Sequence, residues 1–105
     1  MQINLNRNKS VEVDMDLAQS IKVTINDALQ RFSDEITRVE GHLSDVNGNR
    51  SGRADKRCLM EVRVARRNPV VVTNEGATSE IAESGAAQDM TRLLTSTFAR
   101  LGERK

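Results

Sequence analysis

The sequence predicts an α+β fold in the order β-α-β-β-β-α, a four-stranded sheet with two helices packed on one face. Three observations lead to it. Residues 36–73 pass from a strand pattern through a glycine-rich charged loop into two more strand patterns. Helical periodicity flanks this middle third on both sides, and the N-terminal residues alternate apolar and polar. Strands that outnumber helices and follow one another through turns place the helices on one side of a sheet.

The elements follow in order. "MQINLN" alternates Ile3 and Leu5 with polar neighbours, the period of two expected of a strand. A helix then opens at Asp14 or Asp16, either of which can accept from the first free amides. Leu17, Ile21, Ile25, Ala28, Leu29 and Phe32 recur three and four residues apart as one apolar stripe. In the next strand Val39, Gly41 and Leu43 share one face and Arg38, Glu40, His42 and Ser44 the other. Its partner repeats this, with Cys58, Met60, Val62 and Val64 inward and Arg57, Leu59, Glu61, Arg63 and Ala65 on the more polar side. Each strand is therefore half buried. "SDVNGNRSGRAD" between them is rich in residues that tolerate left-handed backbone and reads as a long, mobile hairpin loop. After the "RRN" turn, "PVVVT" begins at the single proline, where no ladder donor is lost. A last helix starts after Thr78 or Ser79. Ala82, Ala86, Met90, Leu93, Leu94, Thr97 and Leu101 lie on one side of it, and Gly102 is placed to end it.

A chain of 105 residues has room for one core, so residues 1–105 are expected to form a single domain. With 37% hydrophobic and 2% aromatic residues, that core is aliphatic. No stretch approaches the roughly 18 apolar residues of a membrane span, and no apolar signal region is present; a cytoplasmic protein with no membrane partner is expected. The lone Cys58 can form no internal disulfide and falls on the buried face, which suits a structural thiol.

Catalysis has little to work with. The one His and one Cys, His42 and Cys58, fall on opposite strand faces, and a zinc site lacks its four ligands. "GNRSG" precedes a strand, whereas a phosphate-cradling loop feeds a helix. The absence of Trp and Tyr removes the stacking platforms of common single-strand RNA readers. A non-enzyme with no cofactor, no metal and no small-molecule substrate is expected. Net charge is only +1, with a pI of about 7.9. The cations nevertheless cluster: Arg50, Arg53, Lys56, Arg57, Arg63, Arg66 and Arg67, with Arg38 on the paired strand, stand against Asp55 and Glu61. Two readings stay open. The charges form a phosphate-binding patch, or Arg38, Glu40, Glu61 and Arg63 pair across the strands as a neutral ladder.

"ITRVEGHLSDVNG", followed by "DKRCLMEVRV" and "PVVVTNEGAT", resembles the short form of the ribosome hibernation factor family, also described as ribosome-associated translation inhibitors or sigma-54 modulation proteins. The resemblance runs over essentially the whole chain and is most specific in "RVEGHLSDVNG" and "DKRC"; the helices match mainly in apolar phase. It implies the same fold. It also implies binding to the small (30S) ribosomal subunit in the messenger and transfer RNA channel, where the protein would protect idle ribosomes and block translation. The contacts implied are cations on ribosomal RNA phosphates: Lys22, Arg31, Arg92 and Arg100 from the helices, and Arg57, Arg63, Arg66 and Arg67 from the sheet side. These helices are sparsely basic for such a family. Longer members add a second domain that pairs ribosomes, so this chain is expected to act without joining two together. The alternative is a protein-interaction module that keeps the fold and uses its open sheet or unpaired edges, a homodimer included.

Overall fold

Alternating apolar residues become strands here because a sheet covered on one side has a place for every second side chain. The computed structural model describes residues 1–8, 11, 13–45 and 56–103, with residues 100–103 by backbone alone. The elements are β1 (Gln2–Arg7), α1 (Met15–Leu29), a short 3-10 turn (Gln30–Phe32), β2 (Ile36–Asp45), β3 (Lys56–Val64), β4 (Val70–Gly76) and α2 (Ser79–Glu103). The expected order holds. Most of the glycine-rich hairpin loop, at 46–55, lies outside the described residues.

The four strands stand in the order β1-β2-β3-β4. β2, β3 and β4 are successive antiparallel neighbours, whereas β1 lies parallel to β2 with Ile3 opposite Val39 and Leu5 opposite Gly41. A parallel neighbour needs a long crossover, and α1 supplies it. Both helices cover the same face. Val39, Leu43, Cys58, Met60, Val62 and Val64 point into it, meeting Ile21, Ile25 and Leu29 of α1 and Ala82, Ala86, Ala87, Met90 and Leu94 of α2. Fully burying such a side chain is worth about 1.5–3 kcal/mol, so this aliphatic layer is the main stabilising element. Phe32 and Phe98 close its end with ring centroids 5.5 Å apart.

Small residues set how near α2 comes to the sheet. A Cβ at Gly85 would lie 2.4 Å from Asn74 Oδ1, and Asn74 Nδ2 donates to Asp89 Oδ2 at 2.8 Å, tying β4 to α2. Asp14 is the residue that caps α1, accepting from the Leu17 amide at 2.8 Å. Thr78 caps α2, its Oγ1 accepting from the Ile81 amide at 3.1 Å.

The boundaries need three corrections. Phe32 continues the α1 stripe from the 3-10 turn, which tightens the chain before β2. β4 starts one residue after Pro69 and runs on to Gly76, because Asn74, Glu75 and Gly76 still pair with Cys58, Arg57 and Lys56. Gly102 does not end α2, which continues to Glu103; glycine permits a left-handed stop without forcing one. Among the described residues, no helix is long and apolar enough to cross a membrane.

Candidate polyanion-binding site

The face of the sheet opposite the helices carries the strand charges, and its register decides how they meet. Arg38 stands opposite Arg63, and Glu40 opposite Glu61. Like charges therefore sit side by side across β2 and β3, an unfavourable arrangement for a sheet. The ion pairs run along each strand instead: Arg38 to Glu40 at 3.1 Å and Arg63 to Glu61 at 3.6 Å. The neutral cross-strand ladder is thus replaced by a row of guanidiniums next to a row of carboxylates. All four side chains keep between a fifth and half of their exposure, and such pairs hold a guanidinium by no more than about 1 kcal/mol.

The guanidinium row lies at one end of the sheet, where β2 begins, β3 finishes and β4 begins. α1 and its 3-10 turn finish at this end too, and α2 arrives there, with Phe98 against Phe32. The β3–β4 turn adds Arg66 and Arg67, both exposed, and neither has a carboxylate within ion-pair distance among the described residues. The turn closes through the Arg67 amide on Val64 O at 3.2 Å, and the Ala65 amide binds Glu35 O at 2.9 Å. Arg66 has φ 65°, the one non-glycine residue in the left-handed region among those described. Arg31 joins from the 3-10 turn, its guanidinium 4.8 Å from the Phe32 ring centroid and donating to Thr95 Oγ1. Exposed Asp34 and Glu35 lie nearby in the chain, so this end is cationic but not uniformly so.

The remaining candidates lie elsewhere. Arg57 is at the opposite end, bound through Nε and Nη2 to Glu75 Oε2 at 3.1 and 2.8 Å across the β3–β4 pair. Six residues separate it from Arg63, roughly 20 Å along a strand. Lys22 is half-buried in the middle of α1, beside Met1 and Ile3 of the β1 edge. Arg92 pairs with Asp89 one turn earlier on α2. Arg100 belongs to the part of α2 beyond Phe98, and its side chain lies outside the described residues, as do Arg50 and Arg53. The structure therefore gathers Arg31, Arg63, Arg66 and Arg67 with Arg38 at one end and does not bring Arg57 or Lys22 to them.

His42 and Cys58 do lie on opposite faces: His42 is exposed beside Glu40 at 3.7 Å, and Cys58 is fully buried. Burial, with a smaller push from Glu83, raises the Cys58 thiol to about 12, so it stays protonated. Sequence reasoning missed Glu83 itself, which is 2% exposed on the inner side of α2. Its signal was positional: it falls between Ser79 and Ala87 at helical spacing, on the stripe that Ala82 and Ala86 mark.

No protein-family model and no curated protein matches the chain. Solved structures do. The N-terminal domain of Protein Y from Thermus thermophilus superposes with a TM-score of 0.72 at 17% identity, covering 92% of this chain and 99% of that one. A ribosomal subunit interface protein from Coxiella burnetii superposes with a TM-score of 0.77 at 14% identity, covering 94% and 99%. The chain shares their fold. At these identities the likeness lies in the layered β-α-β-β-β-α architecture, and the resemblance seen in the strand sequences holds at that level.

Proposed function

We propose that this protein is a non-enzymatic ribosome-associated factor that binds ribosomal RNA phosphates on the small subunit and inhibits translation there. The observation that carries this reading is the segregated charge at one end of the sheet, where Arg38 and Arg63 stand side by side, each with its carboxylate two residues away in the same strand, and exposed Arg66 and Arg67 follow in the β3–β4 turn. An approaching phosphate relieves the repulsion between Arg38 and Arg63 and meets two guanidiniums that need not first leave a partner. Likeness of fold to a ribosomal subunit interface protein supports ribosomal RNA as the polyanion. Arg31 extends the contact from the 3-10 turn, whereas Arg57, roughly 20 Å away at the opposite end of the sheet, lies outside it. The reading implies a cytoplasmic protein.

Sedimentation with purified small subunits at low and high salt tests it. Binding falls by about 0.7–0.9 log units per phosphate contact for each log unit of salt. No pelleting at low salt removes the proposal, and pelleting indifferent to salt shows that phosphates are not the partner. One observation favours the second reading, a protein-interaction or dimerisation module: Val71, on the open face of edge strand β4, is 49% exposed. A salt-insensitive dimer lost on Val71→Lys would establish that alternative.

A further inference from the structure

Glu83 is a carboxylic acid without a partner in a place that gives it nothing to bind. It is 2% exposed, and its Oε1 has no hydrogen bond. An orphaned buried acceptor is expensive and calls for a ligand or an ion. Glu83 lines a cavity of about 500 Å³ between the middle of α1, the first half of α2 and Asn74 of β4, within the size range of small-molecule sites. Its chemistry is one-sided. The charged side chains among the described lining residues are both carboxylates, Glu83 and Glu80. Ser20, Thr24 and Gln88 add neutral polar groups, and Ile21 and Ile81 give apolar walls. Thr24 spends its hydroxyl proton on Ser20 O at 3.0 Å, which leaves its oxygen to accept. Two carboxylates are too few for a divalent cation cage, and among the described residues no group of three metal-ligating side chains forms. They suit an ammonium group carried on an aliphatic chain.

We propose that this cavity binds a small aliphatic amine, its ammonium donating to Glu83 and Glu80 and its carbon chain lying against Ile21 and Ile81. The site lies at the end of the sheet away from Arg66 and Arg67 and does not depend on ribosome binding. Burial and, less, the neighbouring Glu80 push Glu83 up to about 7, so it is held as the neutral acid below neutral pH, and an arriving ammonium favours its charged form. The other groups facing it are few: Cys58 from β3, Asn74 from β4 with Asp89 behind it, and the hydroxyls of α1. Binding therefore releases a proton and tightens with rising pH.

The test is calorimetric titration of the intact protein with 1,4-diaminobutane at pH 7.5, with 1,4-butanediol as the uncharged control. Saturable binding of the diamine, none of the diol, and at least a tenfold loss of affinity at pH 5.5 are expected. Glu83→Gln should weaken binding tenfold or more and Glu80→Gln several-fold. Ser20→Leu, at an exposed position on the α1 wall, should block the cavity without touching the buried acid and serves if Glu83→Gln fails to fold. Equal binding of diol and diamine, an unchanged affinity in Glu83→Gln or in Ser20→Leu, or competition by magnesium at matched ionic strength overturns the proposal.

Discussion

Arg66 holds a backbone conformation that costs an L-residue about 1 kcal/mol or more, at a turn position where glycine or asparagine would sit without strain. Arg66→Gly should therefore raise the urea midpoint, stabilising the fold by about 0.5–1 kcal/mol, while weakening binding to small subunits. The paired change Arg66→Ala with Arg67→Ala should also weaken binding. For Arg67, an exposed turn residue, the stability change should stay within about 0.5 kcal/mol. Glu83 gives a pH prediction. Its folded pKa, about 7, is raised above its ordinary value of 4.5, so the folded state holds the proton more tightly. The stability that Glu83 contributes is fully present below pH 4.5, falls as pH rises toward 7 and then levels off; this contribution is on the order of 3 kcal/mol. Urea titrations across this range should show that Glu83→Gln flattens the slope and is the more stable protein above pH 7. Neither residue was legible as special in the sequence. Arg66 looked like one cation in a basic turn, because φ is set by the closure of β3 onto β4. Glu83 showed its burial only through its place on the stripe of Ala82 and Ala86, because a single glutamate on an alanine-rich stripe does not disturb the period.

Strands and helices were far more readable, since each is fixed by a local period that burial on one side then enforces. Val39, Leu43, Cys58, Met60 and Val62 are all buried in the phase their spacing predicts. Leu29 is fully buried at the end of α1, so Leu29→Ala should cost about 2–5 kcal/mol by calorimetric melting. Contacts between elements were less legible. The approach of α2 to β4 depends on Gly85 having no side chain, and Gly85→Ala forces Asn74 away from Asp89. A loss of about 1–2 kcal/mol in urea unfolding is expected, from the broken hydrogen bond and the displaced helix. The β-strand register was likewise hidden: alternation says which face Arg38 and Arg63 occupy but not that they stand opposite one another, and that pairing excludes the cross-strand ladder.

Across the whole molecule the described charges divide by end. Arg31, Arg38, Arg63, Arg66 and Arg67 collect where α1 finishes, with Asp34 and Glu35 beside them, while Asp14, Asp16, Asp45, Glu75, Glu80 and Glu83 collect where both helices begin, together with Arg7, Lys56 and Arg57. A net charge of +1 conceals this division, which is why composition argued against a polyanion partner when the arrangement favours one. On that basis the cationic end should face ribosomal RNA, and cross-links from Arg66→Cys should reach the small subunit while those from Asp16→Cys should not. The parallel pairing of β1 has a separate outcome for folding. β1 has no fully buried side chain and pairs with a single strand, which enters the sheet only after the whole α1 crossover is in place. During synthesis β1 thus emerges well before the strand it pairs with. Native-state amide exchange should find this N-terminal ribbon the earliest part of the sheet to open and β3, clasped on both sides, the last.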